Sequence, residues 1–285
     1  MKYAEMASLF EKDLEQLYQK NEARELFLLI LSFCGLANRH NYHLLKEYLL
    51  DQTAEQQLLA YLSELKQAKP IQYILGYTSF YQLNFKLDSS VLIPRPETEE
   101  LVHWLISSFN DKKSKINILD VGTGSGCIAI SLKSQLANAE VLGLDIAADS
   151  IELAKYNARL NQLEVSFCQD DALNWSEDIK SQFFDVIVSN PPYIQEAEQA
   201  KMQPTVLQFE PHRALFVADE DPLCFYHSIA DFATTNLKNG GALFFEINQL
   251  FGDEIVTMLN NKGFIEVELR KDLNNNDRMV RAIKP

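Results

Sequence analysis

Four short stretches carry side chains whose types and order imply chemistry at the ends of β-strands. The first is DVGTGSG, Asp120 to Gly126. Here Gly122, Gly124 and Gly126 let a ligand approach the backbone, beside a helix N-terminus that offers free N–H groups. The candidate contacts are Gly122, Thr123, Gly124, Ser125 and Gly126. The spacing G-x-G-x-G departs from the dinucleotide pattern, and no G-K-[ST] follows, which excludes a Walker phosphate loop. A tight turn built of small residues for packing is the alternative. The second is Asp145, ending EVLGLD about twenty residues further on, where an acid can accept both hydroxyls of a nucleoside ribose. Such an acid favours an adenosine moiety over a 2′-phosphate; its competing role, an N-cap for the next helix, suits Asp149 better.

The third stretch, CQDDAL, offers Asp171 ahead of Asp170 as acceptor for an adenine amino group, with a solvated loop carboxylate as the alternative. The fourth is Asn190-Pro191-Pro192-Tyr193, which ends the β-branched run DVIVS. Two prolines stop a strand. The Asn190 amide oxygen and the Pro191 carbonyl form a pair of acceptors for the two hydrogens of a planar –NH₂ group. The prolines stiffen the loop so that the acceptors keep their aim, and Tyr193 supplies a stacking platform. Held in this way, the nitrogen lone pair is drawn out of conjugation, and the positive charge that develops as nitrogen attacks carbon is offset. This chemistry requires neither a metal nor a covalent nucleophile.

The elements that position these stretches follow from periodicity. Residues 1–70 are helical throughout: Met6, Leu9, Phe10, Leu14, Leu17 and Tyr18 recur on one face, and Asn21 is placed to cap a second helix that Gly35 ends. Two further helices are expected in NYHLLKEYLLD and AEQQLLAYLSELKQA, completing a small bundle. Between 71 and 95 Tyr81, Leu83, Phe85 and Leu87 alternate with polar residues, which predicts a β-hairpin linker. A helix starts near Pro96 with glutamates in its first turn. From 116 onward strands and helices alternate, and the chain closes on a hairpin, FIEVELRKD and RMVRAIK, around LNNND. The fold class is therefore α/β, a doubly wound, mostly parallel sheet with an antiparallel C-terminal strand, over 96–285.

Charge narrows the partner. Lys and Arg number 26 against 40 Asp and Glu, a net charge of −14. Residues 1–70 hold 8 basic and 10 acidic side chains, so most of the excess lies in the larger region. A protein that grips nucleic acid through phosphates needs a basic face, and Arg270, Lys271, Arg278, Arg281 and Lys284 are the one candidate patch. Nucleic acid as main substrate is thus disfavoured. The cysteines at 34, 127, 168 and 224 form no C-x-x-C pair, the N-terminus lacks a signal-peptide core, and LFLLILSFCGLA is too short for a bilayer, so a cytoplasmic protein without a membrane partner is expected. Trp104, Trp175 and the histidines read as packing or surface residues. Glu210 and Arg213 in FEPHRAL are weaker site candidates.

Taken in order, these features resemble a class I S-adenosylmethionine-dependent methyltransferase. VLIPRPETEELV, ILDVGTGSGCIAISL, VIVSNPPYI and FEP followed by AL together resemble the glutamine N5-methyltransferases of peptide chain release factors. The resemblance implies S-adenosylmethionine on Gly122 to Gly126, with S-adenosylhomocysteine as product and the ribose on Asp145. It implies further contacts from Asp171 and Asn190. The family's aromatic after the third strand is here Ala172, so a different side chain is needed to stack on adenine. Asn190 to Tyr193 are implied to hold the glutamine amide of the release factor's G-G-Q motif, with Arg95, Glu97 and Thr98 walling the methyl-donor pocket. The helical domain is implied to dock the release factor, and a monomer is expected. An adenine-N6 DNA or RNA methyltransferase and a non-catalytic nucleoside-binding adaptor are the competing readings.

Overall fold

Alternating βα units after residue 116 close into a seven-stranded sheet in the computed structural model of the protein, which describes residues 1–109, 111 and 115–285. The chain divides into two units, Met1–Gly76 and Tyr77–Pro285.

The first unit contains α1 (Tyr3–Asp13), α2 (Lys20–Phe33), α3 (Tyr42–Leu45), α4 (Gln52–Leu65) and α5 (Ile71–Leu75). Met6, Phe10, Leu14, Phe27, Ile30, Leu31 and Leu58 are fully buried and form its core, as the helix-face spacing requires. Two details differ from the periodic reading. The second helix starts at Lys20, with Gln19 rather than Asn21 at its N-cap position and no side-chain hydrogen bond there. The expected helix in NYHLLKEYLLD is a single turn, because the carbonyls of Lys46 and Tyr48 accept from the N–H groups of Ala4 at 2.9 Å and Tyr3 at 3.2 Å. Those N–H groups open α1 and have no partner within it, so the following segment supplies one. Residues 71–75 are helical, with Ile71, Ile74 and Leu75 against the core of this unit, so the hairpin occupies only part of 71–95.

The second unit opens with that hairpin, β1 (Tyr77–Phe80) and β2 (Leu83–Lys86). Tyr81 and Gln82 form its two-residue turn, with φ of +46° and +64°, although neither is a usual residue for a primed turn. Tyr81 therefore sits in the turn and not on the strand face; its N–H is held by Glu99 Oε1 at 2.6 Å. Phe85 and Leu87 are buried as the alternation predicts. The helices are α6 (Pro96–Ser107), α7 (Cys127–Gln135), α8 (Ala148–Leu160), α9 (Glu177–Lys180), α10 (Pro204–Phe209), α11 (Cys224–Asn236) and α12 (Gly252–Asn261). The strands are β3 (Asn117–Val121), β4 (Glu140–Asp145), β5 (Ser166–Gln169), β6 (Phe184–Ser189), β7 (Ile194–Gln195), β8 (Phe216–Val217), β9 (Leu237–Glu246), β10 (Ile265–Lys271) and β11 (Asp277–Ile283).

The main sheet has the order β10-β11-β9-β6-β3-β4-β5. All neighbours are parallel except β11, which is antiparallel to both β9 and β10. This is the class I methyltransferase arrangement, and the hairpin expected around LNNND is β10–β11. Helices cover both faces, which is why β3 and β6 read as nearly continuous apolar runs: Ile118, Leu119, Val186, Ile187 and Val188 are at most 1% exposed. Trp104 packs edge-on against Phe244 and Trp175 stacks on Phe232 at 4.0 Å, so both tryptophans serve the core. Among the described residues no helix is long and apolar enough to cross a membrane.

Candidate active site

The chain runs from β3 outward to β5 and returns to place β6 on the other side of β3. The exits of β3 and β6 therefore diverge at the carboxyl edge of the sheet and leave a crevice between them. Gly122 follows β3 and Asn190 follows β6. A Cβ on Gly122 would lie 3.9 Å from the Asn190 carbonyl oxygen, so the two loops meet here. A cavity of about 210 Å3 opens at this point, lined by Gly122, Gly124, Asp145, Asp171, Asn190 and Pro191 among others.

The glycine loop behaves differently from an anion cradle. The N–H groups of Gly122 and Thr123 donate to Leu144 O, that of Gly124 to Asp145 Oδ2 at 2.9 Å, and that of Gly126 to Thr123 O. With these donors taken, the loop offers little to a phosphate, and a ligand without phosphates fits it better. Gly122 and Gly124 have φ of +75° and +53°, and a Cβ on Gly124 would meet nothing within 4 Å, so the absent side chains leave room for a ligand. Gly126 is absent from the cavity wall; a Cβ there would come within 2.9 Å of Ile130 Cδ1 and 3.2 Å of Ala154 Cβ. Its smallness serves the packing of α7 against α8. Thr123 and Ser125 are buried, Thr123 donating to Asp120 Oδ2 at 2.6 Å and the Ser125 carbonyl accepting from Asn157 at 2.9 Å. Of the five loop residues, the structure brings only the two glycines to the cavity.

Asp145 lines the cavity while its carboxylate accepts from the N–H groups of Gly124 and Ala147, both at 2.9 Å. Two of its roughly four acceptor directions remain. Burial raises its pKa, and those two N–H groups pull against the rise. Helix α8 is preceded by Ala147, and Asp149, expected as its cap, instead pairs with Arg213 at 2.7 Å. Asp170 and Asp171 both line the cavity, but Asp170 is spent on Ser176, whereas Asp171 uses one oxygen for the Leu173 N–H. Ala172 lines the wall without offering a ring. Apolar surface in this cavity comes from Ile146 and Leu173, 57% and 51% exposed, and from Leu144, Phe225 and Ile229, none of which sequence reasoning named. Ile146 directly follows Asp145 and Leu173 stands two residues after Asp171, so an aliphatic close behind each candidate acid was the available signal.

Asp120, at the end of β3, is wholly buried. It accepts from Thr123 and from the Ala129 N–H, while its Oδ1 has no hydrogen-bond partner in the structure. Burial pushes its pKa up to about 7, with the Thr123 and Ala129 hydrogen bonds opposing.

On the other side of Asn190 and Pro191 lies a second, smaller cavity of about 140 Å3, lined also by Arg95, Tyr193, Met202 and Val206. Asn190 and Pro191, together with Leu92 and Ala214, line both cavities and so lie between them. The Asn190 Nδ2 donates to Thr98 Oγ1 at 3.2 Å, and Thr98 donates in turn to Glu246 Oε2 at 2.6 Å. Tyr193 donates its hydroxyl to Glu246 Oε1 at 3.1 Å and its ring packs on the core beneath the sheet edge. Burial first, then the Glu246 charge, drives the phenol pKa far above its usual value, so Tyr193 remains a neutral donor. Arg95 is held by Glu210 at 2.6 Å, and that carboxylate is 1% exposed. Glu97 lines neither cavity; it lies near Glu246, whose pKa it helps burial to raise. Arg213 reaches the first cavity and also donates to the Ser90 carbonyl. Glu246, the single charge at the end of the apolar strand GALFFEIN, was not among the expected residues.

The basic residues near the C-terminus do not form a free patch. Arg270 and Arg281 pair with Glu268, Lys271 with Asp277 and Arg278 with Asp272, while Lys284 donates to carbonyls.

A protein-family model described as a methyltransferase domain matches residues 112–279. The chain is 44% identical over 276 residues to the release factor glutamine methyltransferase of Flavobacterium psychrophilum, covering 96% of each. It is 36% identical over 277 residues to that of Bacteroides thetaiotaomicron, covering 97% of this chain and 98% of the relative. Among solved structures, a methyltransferase from Pyrococcus furiosus aligns with a TM-score of 0.53 at 14% identity, over 81% of this chain and 98% of that one, a likeness of fold.

Proposed function

The chain belongs to the release factor glutamine methyltransferase family and is an S-adenosylmethionine-dependent protein-glutamine methyltransferase, and from that premise we propose how its residues divide the work. The observation that carries the proposal is the partition: Asn190 and Pro191 face one cavity with the glycine loop and Asp145, and a second with Tyr193 and Arg95.

S-adenosylmethionine occupies the first cavity and supplies a methyl group on a positively charged sulfur. Gly122 and Gly124 give it backbone room, Asp145 accepts from the ribose hydroxyls, Asp171 faces the adenine amino group, and Ile146 with Leu173 replaces the missing aromatic. The loop suits this ligand because the N–H groups of Gly122, Thr123, Gly124 and Gly126 are already spent and no phosphate has to be bound. The glutamine of the release factor's G-G-Q motif enters through the second cavity. Asn190 Oδ1 and Pro191 O accept its two amide hydrogens; neither atom accepts a hydrogen bond from the described residues. Tyr193, held through its hydroxyl, walls the amide plane.

A carboxamide nitrogen is barely basic, so rate comes from positioning and from the two acceptors that meet the developing positive charge. Among the described residues no titratable side chain hydrogen-bonds Asn190, and the nitrogen gives up its proton to water after the methyl has been transferred. The helical unit Met1–Gly76 docks the release factor. The test is mass spectrometry of release-factor peptides after incubation with S-adenosylmethionine: a gain of one methyl group on the G-G-Q glutamine is expected. Methylation of adenine in DNA with none on the peptide would overturn the reading.

A further inference from the structure

Asn190 can serve as an acceptor only if its amide is turned the right way. The two ends of a side-chain amide are nearly identical in shape, so packing alone distinguishes them poorly. If Nδ2 faced the substrate, the glutamine –NH₂ would meet a donor. Something must therefore fix the rotamer.

The structure holds a chain of hydrogen bonds that does so, running from Asn190 Nδ2 to Thr98 Oγ1 at 3.2 Å and from Thr98 to Glu246 Oε2 at 2.6 Å. Thr98 and Glu246 are 2% and 1% exposed, so water does not compete. A hydroxyl has one proton, and an ionised carboxylate can only accept. Thr98 must give its proton to Glu246 and is left with lone pairs alone for Asn190, which can then approach only with its N–H. The other carboxylate oxygen receives the Tyr193 hydroxyl at 3.1 Å, so one buried charge orients both ends of the tetrapeptide. Glu246 is itself located by the sheet: its residue pairs with Met279 on β11, and its carbonyl accepts from the Tyr226 hydroxyl at 3.2 Å. Burial raises the pKa of Glu246 and Glu97 adds to the rise, while the Thr98 and Tyr193 hydrogen bonds and Arg278 favour the ionised form on which this chain depends.

We propose that Glu246 is a positioning residue which, through Thr98, polarises this chain and forces Asn190 to present its oxygen to the substrate nitrogen. Glu246 touches no substrate; it decides which atom of Asn190 does. The proposal rests on the functional reading above. Glutamine at 246 keeps the shape but can donate, so Thr98 becomes free to donate to Asn190 Oδ1 and the amide is released to flip.

The experiment compares wild type, E246Q, T98V, T98S and the T98V/E246Q double variant on a G-G-Q peptide, with S-adenosylmethionine affinity measured by calorimetry. E246Q and T98V are each expected to lower kcat about 100-fold, the scale of a misplaced catalytic group, with cosubstrate affinity within about threefold. T98S restores most of what T98V loses. The double variant is no worse than T98V, because both act through one chain of bonds. In parallel, the Asn190 side-chain NH₂ signals in ¹⁵N NMR, assigned by their loss in N190A, are expected to exchange with water faster in E246Q than in wild type. Unchanged turnover in E246Q, or losses that multiply in the double variant, would overturn the relay. If wild type transfers nothing to the peptide, it is the functional reading that fails, and the NMR comparison still decides the relay.

Discussion

The two strand exits that build the site spend their polar groups in opposite ways. At the exit of β3, Gly122, Thr123, Gly124 and Gly126 commit their N–H groups to Leu144, Asp145 and Thr123, and the loop contributes mainly space. At the exit of β6, Asn190 Oδ1 and the Pro191 carbonyl stay uncommitted among the described residues, while everything around them is tied down: Nδ2 to Thr98, the Tyr193 hydroxyl to Glu246 and the Tyr193 carbonyl to Asn248. A loop that only binds can satisfy itself internally. A loop that must stabilise a charge appearing during reaction keeps acceptors free, and needs a buried scaffold to hold them.

The sharpest break of this contrast is Asn190→Ala. It should cut kcat by about 1000-fold, near the upper range for removing one preorganised polar group, while S-adenosylmethionine affinity stays within a few-fold. Single-turnover kinetics with calorimetry check it, and a variant that lost affinity and turnover equally would place Asn190 in binding rather than chemistry. On the β3 side the reverse split is expected. Asp145→Ala should weaken cosubstrate binding about 10- to 100-fold through loss of hydrogen bonds to a charged group, with kcat at saturation much less affected.

Within the glycine loop itself, Gly126→Ala should cost stability and spare binding. Its Cβ would meet Ile130 and Ala154 at φ +81°, an overpacking penalty of about 1–3 kcal/mol. Chemical denaturation beside calorimetry separates this from Gly124→Ala, which is also strained at φ +53° but whose methyl would meet nothing within 4 Å in the protein and should lower affinity as well.

The one pH-dependent effect concerns Asp120. Its pKa, raised to about 7 in the folded chain from 3.8, means that the folded state holds a proton the unfolded chain has already released between about pH 4 and 7. Its contribution therefore falls as pH rises through that window, and the full cost of the buried charge is present above about 7. Asp120→Asn removes the titration, so it should gain stability relative to wild type between pH 5 and pH 8 in urea unfolding. A difference that stays constant with pH would show that the group does not titrate in this range.

Much of this was readable before folding, for a local reason. The glycine turn, Asp145 and the Asn-Pro-Pro-Tyr exit each declare themselves within a few residues, because a strand end, a turn and a helix start leave short-range marks. Sheet class followed from the βα alternation. The reading went wrong where a distant partner intervened. NYHLLKEYLLD has a helical pattern, yet carbonyls within it are taken by the start of α1. Tyr81 alternates correctly but was bent into a turn, with its N–H on Glu99. Gly126 belongs to the motif but serves helix packing.

What the sequence by itself determined was the inventory: which strand ends carry acceptors, which carries an acid, and that the chain carries a net charge of −14. Tertiary structure alone decided how those groups are aimed. Thr98, Asn190 and Glu246 stand 92 and 148 residues apart along the chain in the two hydrogen bonds that join them. No local pattern can report such a contact, because it exists only once β6 and β9 lie side by side and α6 folds over their ends. Burial then completes the effect, since a carboxylate can dictate the direction of a hydrogen-bond chain only where water cannot offer it an alternative.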